Sequence, residues 1–529
     1  MKKIIIVSLT LIVSVSIYAQ GKCESGDCKS GKGKYKFDEG VYEGDFNDSK
    51  LNGKGKYIYS NGNIYDGNWV DSIPTGGVYT FKNGDVYEGE FREGKITGKG
   101  KIAFKNKDKY TGDWVDGKRT GVGTYETKDG EIYTGDFKDD LRSGKGKYIY
   151  KNGNVYEGDL LNDKITGKGT ISFKDGTSYE GDFVDGVREG NGKLVTKEYT
   201  YTGQFKNNEI NGKGKQERLD GNVYEGDWVN EAKEGKGKLT SVDFTYNGDW
   251  KNNAMEGLGT YTTKEYTYTG NFLTGKKNGK GKEVYADKIS SYDGDWVNNV
   301  MEGMGTYTTQ KYTYTGNFLA GKKNGKGKEV DADKISSYDG DWVNNVKTGM
   351  GTIVTKDYTY TGAVLDGIKH GKGKYVNKDN EYEGDWKNNK KDGIGKEINK
   401  NFTYEGQWSN GLFNGTGKLT TKTSSYEGGF LNGKKDGKGK ETNKDYTYDG
   451  DWKNGKYEGK GKMVDTSGFT YEGDFKNGLF EGKGKYVDSS ITYEGDWVNG
   501  VQEGKGKSTT KNGVKEGYFK AGKYVVPEL

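Results

Sequence analysis

Residues 471–484 read YEGDFKNGLFEGKG, and the chain continues KYVDSSIT through 485–492 to another tyrosine at 493. Alternation with a period of two turns this stretch into geometry. In Tyr493-Glu494-Gly495-Asp496-Trp497 the Tyr, Gly and Trp fall on one face of a strand and the two acids on the other. In Gly482-Lys483-Gly484-Lys485-Tyr486 the glycines and the tyrosine share a face, and the lysines take the opposite one. Each block is therefore two short strands. Asn-Gly pairs such as Asn61-Gly62, Asn152-Gly153 and Asn477-Gly478 supply hairpin turns.

Beyond this block, Tyr-x-Gly recurs 21 times from Tyr42 to Tyr493, always 22, 23 or 24 residues apart. Four residues after the tyrosine stands an aromatic, except at Leu160 and Val364, and all 10 tryptophans occupy that slot. Between these blocks lies Gly-x-Gly, as in Gly53-Lys54-Gly55 and Gly504-Lys505-Gly506. Pairing the strands as a meander sets bare glycine beside aromatic rings, as at Tyr382, Gly384 and Trp386 or Tyr493, Gly495 and Trp497. On the other face, acids stand across from lysines. A lone hairpin buries too little to offset the ordering of its backbone, so neighbours must stabilise one another. The fold expected is all-β: an elongated, single-layer antiparallel β-meander solenoid of about 22 stacked hairpins.

Composition agrees with packing rather than disorder. Only 30% of the 529 residues are hydrophobic, but 13% are aromatic and only two are proline, which is not how disordered linkers are built. Lys plus Arg (83) nearly balances Asp plus Glu (78), with no basic stripe, so no nucleic-acid partner is expected.

The N-terminus reads as an address. Met1, Lys2 and Lys3 precede an apolar run from Ile4 to Ile17, closed by Tyr18-Ala19; this predicts a signal peptide over 1–19, cleaved after Ala19, and export to the periplasm, the outer membrane or cell surface, or the medium. A cap over 20–35 holds the two cysteines, Cys23 and Cys28. An oxidising compartment allows them to form a small disulfide loop, with idle thiols or half a zinc site as the alternatives. An array of mostly 23-residue repeats over 36–195 and one of mostly 22-residue repeats over 196–507 follow, then a degenerate C-terminal repeat over 508–529. Gly259 to Thr309 nearly recurs as Gly305 to Thr355, shifted by two repeats.

These residues resemble the MORN repeat, the membrane occupation and recognition nexus motif, whose pattern is close to YEGxWxxGxxxGxGxxxxxxG. The likeness runs from about residue 31 to 517, and CESGDCKSGKGKY, residues 23–35, looks like the leading edge of bacterial arrays of this family. It implies a sheet that serves as a scaffold, a dimerisation surface or a membrane-junction element. Binding of acidic phospholipid is also implied, although here lysines alternate with acids.

Apparent catalytic motifs belong to the repeat. Gly450 to Lys456 and Gly270 to Lys276 imitate a phosphate-binding loop, but Tyr457 and Lys277 replace the required Ser or Thr. The single histidine, His370, is read as a surface turn residue. No catalytic residue, cofactor or metal site is expected. Two functions remain: an envelope scaffold for a protein partner or for self-association, or a binder of envelope glycan or lipid through exposed rings. For the first, the middle residue of Gly-x-Gly offers contact candidates where an apolar residue replaces the usual Lys: Leu258, Met304, Met350 and Ile394, with Val122 the fifth such replacement.

Overall fold

Asn477 and Gly478 both hold left-handed backbone, with φ of 53° and 90°, and close strand Thr470–Lys476 onto strand Leu479–Val487. Two consecutive left-handed residues make the turn whose twist matches paired strands. Asn61-Gly62 works differently. Strands Lys50–Tyr59 and Ile64–Val70 are joined by a wider loop in which Gly62 is left-handed and donates its N–H to the Tyr59 carbonyl at 2.9 Å. The two Asn-Gly classes thus mark opposite edges of the sheet, one inside each repeat and one between repeats.

The computed structural model describes residues 21–526, which leaves the expected signal peptide outside the described residues. The chain divides into two compact units between Lys264 and Glu265. Among the described residues the first holds 22 strands, from Lys22–Gly26 to Ala254–Thr262, and the second 24, from Tyr266–Leu273 to Lys523–Val525. Within each unit successive strands pair antiparallel in sequence order, as Ile491–Val498 does with Leu479–Val487 before it and Val501–Thr510 after it. Each unit is therefore one open hairpin meander. At the start of the first, Cys23 and Cys28 are joined by a disulfide.

The core of each unit is one face of its own sheet. Every repeat tyrosine from Tyr42 to Tyr493 is buried, as are Trp386, Trp497 and the other aromatics of their slot. Tyr382 meets Trp386 edge-on at 5.1 Å and the next repeat's Trp408 at 5.3 Å, the arrangement that ring quadrupoles favour. Trp386 Nε1–H donates to the Gly373 carbonyl of the preceding repeat at 3.1 Å, and Tyr382 Oη–H to the Asp385 carbonyl at 2.9 Å. This zipper of rings is broken once in each unit, where Leu160 and Val364 stand in the aromatic slot.

The two glycines of Gly-x-Gly do different work. The first is left-handed: Gly482 has φ 55° and Gly504 φ 94°. It forms a bulge, since Gly473 pairs with Gly484 but Asp474 with Glu481. The Asp474 carboxylate closes that bulge by accepting the Lys483 N–H at 2.9 Å. The second glycine carries the ring. A Cβ on Gly395 would lie 2.5 Å from Cζ of Tyr382, so the tyrosine rests on backbone that only glycine leaves bare. Gly384 faces the Gly395 backbone instead, its missing Cβ 2.6 Å from the Ile394 carbonyl oxygen.

Candidate interaction surface

The face opposite the rings is built from the same register. In the second unit a groove of about 1030 Å³ runs over glycines 450 to 517 and is lined by Lys460, Lys483, Lys505, Glu472 and Glu494 among others. A similar groove of about 1390 Å³ in the first unit runs past Lys145, Glu157, Lys168 and Glu180. Lys460 pairs with Asp474 at 2.6 Å and Lys483 with Asp496 at 2.5 Å, while Lys462 reaches Glu472 at 3.0 Å in a second row. The Lys483 ammonium, helped by the Lys505 N–H, holds Asp496 below the ordinary carboxylate value. The groove is thus a floor of bare backbone between two rows of alternating charge.

The contact candidates lie on this face. Leu258 is 61% exposed in strand Ala254–Thr262 of the first unit. Met304, Met350 and Ile394 are 50%, 55% and 65% exposed in the second, on strands Val300–Thr308, Val346–Val354 and Lys390–Asn399. Those three strands are each four apart, or ~19 Å at ~4.8 Å per strand. Their cross-strand partners change with them. Met304 faces Asn317, Met350 faces Ala363 and Ile394 faces Gln407, where Lys460 and Lys483 face aspartates. In these three repeats both members of the ion pair are replaced together, whereas Val122 still faces Asp136 and Lys54 faces Asn68.

Sequence reasoning missed a row of cations inside the aromatic face. The slot opposite the repeat aromatic holds Leu51, Ile96 or Met255 in some repeats, and Arg119, Arg142, Lys277, Lys323, Lys369, Lys391 or Lys435 in others. Lys391 lies over Tyr382 and Trp408 at 5.0 and 4.6 Å and pairs with Glu397 at 2.6 Å. Lys277–Glu283, Lys323–Glu329 and Lys435–Glu441 repeat that pairing. A basic residue six before a glutamate, in a slot elsewhere apolar, was the readable signal.

Lys369 has Tyr375 in place of the glutamate and sits 4.6 to 4.8 Å from the rings of Tyr358, Tyr375 and Trp386. Burial, and then the Lys391 charge, pull its ammonium below the ordinary lysine value. Lys369→Met, which installs the residue found at Met255 and Met301, is expected to raise stability by about 1 kcal/mol. Lys391→Met, which strands Glu397, is expected to lower it by about 3 kcal/mol. Denaturant midpoints that move in the same direction for both would remove the distinction.

His370 is not a surface turn residue as its sequence suggests. It lies half-buried in strand Ile368–Asn377, with Nδ1 buried and lacking a hydrogen-bond partner. In the apparent phosphate-binding loop, Gly450 lies in strand Tyr446–Lys453, Gly455 in the tight turn after it, and Lys456 opens strand Lys456–Asp465. The rings that a glycan or lipid reading needs on the outside are inside: the repeat tyrosines and tryptophans are buried, whereas Tyr518, in the degenerate repeat, is exposed at the groove's end.

Among curated proteins, no relative matches this chain. Solved structures give distant likenesses. The TCP domain of Drosophila melanogaster SAS-4, in complex with a proline-rich motif, is 14% identical over 36% of this chain and 94% of its own, with a TM-score of 0.21. The Danio rerio CPAP TCP10 domain, in complex with a peptide, is 12% identical over 48% and 93%, with a TM-score of 0.15. A streptogramin B lyase is 13% identical over 52% and 94%, with a TM-score of 0.11. Superpositions this poor carry no argument. The MORN repeat, by contrast, matches 21 times in succession, from residues 42–64 to residues 493–515, and the chain belongs to the MORN repeat family.

Proposed function

We propose that this chain is a non-catalytic, exported scaffold of the cell envelope that holds a protein partner along its polar face. The observation that carries the reading is the groove: a floor of paired glycines, open along its length, flanked by exposed lysines and acids. Such a surface offers shape and alternating charge to a long partner, and MORN repeat proteins are in general scaffolds rather than enzymes. Export rests on the Met1 to Ala19 succession. A glycan reading keeps one supporting observation, the exposed ring of Tyr518.

The test is a pull-down from envelope extract run beside a glycan array and anionic vesicles. A defined protein is expected, its capture reduced at least tenfold when Lys460, Lys483 and Lys505 are together changed to Glu. Retention on glycans or vesicles with no protein captured would overturn the scaffold reading. Intact mass of the envelope material should begin at Gln20; a chain retaining Met1 would overturn export.

A further inference from the structure

The first hairpin of the array is closed by chemistry of its own. Gly31-Lys32-Gly33-Lys34-Tyr35 stands where Gly53-Lys54-Gly55-Lys56-Tyr57 stands one repeat on, and Cys23 faces Tyr35 as Tyr42 faces Tyr57. Cys23 thus holds the slot of the repeat tyrosine. A Cβ on Gly55 would strike the Tyr42 ring, but one on Gly33 would come 2.7 Å from Sγ of Cys28. The Cys23–Cys28 disulfide is the substitute for the ring, and Gly33 is buried beneath it. All five residues of strand Lys22–Gly26 are exposed. A strand that buries so little is held by its ladder to Lys32–Phe37, by the Glu24–Lys34 ion pair at 3.2 Å, and by this one covalent bond.

The two sulfurs differ in their footing. Cys28 is fastened to the array through its loop, in which the Lys29 carbonyl accepts the Ser49 N–H and the Gly31 carbonyl the Phe46 N–H, both at 2.8 Å. Its half-buried Sγ lies against Gly33 and 3.5 Å from the Lys34 carbonyl oxygen. Cys23 is exposed, on the edge strand itself. We propose that Cys23 is the point of attack of a protein dithiol of the Cys-x-x-Cys class, and that the exchange unlocks strand Lys22–Gly26 from the array. A thiolate of the reductant forms a bond to Cys23 Sγ as the Cys23–Cys28 bond breaks, and Cys28 leaves as a thiolate and takes up a proton. The reductant's second thiol then displaces Cys23 and gives up its proton to it, so that two electrons pass to this chain and the reductant departs as its own disulfide. Access decides which sulfur is attacked, and it favours Cys23. Cys28 stays over Gly33, held by its loop, while the strand that carried Cys23 is free to open locally.

Two measurements on the full chain test it. The oxidised chain is mixed with a Cys-x-x-Cys protein whose second cysteine is replaced by serine, so that the mixed disulfide accumulates. Peptide mapping without reduction is expected to find roughly tenfold more of it at Cys23 than at Cys28; an equal or reversed preference, or no adduct at either, would overturn the proposal. Hydrogen exchange after reduction by dithiothreitol is expected to quicken roughly tenfold or more over Lys22–Gly26 and to stay unchanged beyond Gly40. A chain carrying both Cys23→Ser and Cys28→Ser, which needs no reductant, is expected to behave alike. Protection over Lys22–Gly26 that survives in both would show that the disulfide locks nothing. Neither measurement depends on what the groove binds, so the scaffold reading stands or fails apart from this one.

Discussion

Gly395→Val should destabilise its region of the second unit by about 3–5 kcal/mol, against less than about 0.5 kcal/mol for Lys387→Ala. The valine Cβ would occupy the space of the Tyr382 ring. To escape, the ring must surrender its edge contacts to Trp386 and Trp408 and its hydrogen bond to the Asp385 carbonyl. Gly384→Val should be comparably severe for another reason, since its side chain would strike the Gly395 backbone and part the two strands. Because repeat arrays need not unfold in one step, the reading is hydrogen-exchange protection between residues 380 and 409 together with the denaturant midpoint. Equal midpoints for Gly395→Val and Lys387→Ala would end the account of rings resting on glycine.

The second large effect is alkaline collapse. Burial pushes Tyr57, Tyr65, Tyr201, Tyr314, Tyr360, Tyr404 and Tyr493 up to about 12, and others such as Tyr42 and Tyr110 higher still. An unfolded tyrosine ionises near 10. The folded state therefore favours the neutral phenol, and that stability is fully present below about pH 10 and lost as pH rises through 12. The lowered ammonium groups of Lys233, Lys323 and Lys369 act with the opposite sign, adding stability as they neutralise, but they are few against the tyrosines. Melting temperature should hold steady from neutral pH to about 9.5 and fall steeply from 10 to 12. Phenolate absorbance rising near pH 10 with the sheet intact would contradict the burial of these rings.

The strands and their faces were legible in the sequence because side-chain alternation in a strand is strict, so Tyr493, Gly495 and Trp497 had to share a face. The role of each glycine was not. Gly482 and Gly484 look alike in sequence, yet one is chosen for its left-handed φ and the other for the absence of a Cβ; only register separates them. Lys277 and Lys391 were hidden for a different reason. Lysine reads as surface, and the sign that it lies among the rings, a glutamate six residues on such as Glu283 or Glu397, has meaning only once the strand pairing sets both on the ring face. The exposure of Met304, Met350 and Ile394 follows from their position between the two glycines, but the loss of the acid opposite them became visible only with the strand pairing.

Strand order within each unit also sets how it answers to force. In a meander each strand bonds only to its sequence neighbours, so tension on the ends of a unit loads its hydrogen bonds across the strand pairs rather than along them. The last hairpin carries the load first and lets go before the next is strained. Each repeat of 22 to 24 residues then releases ~80 Å of chain at up to ~3.5 Å per residue. Under load, such a unit lengthens by yielding one hairpin at a time, and the rings of the hairpins behind stay covered while it does so.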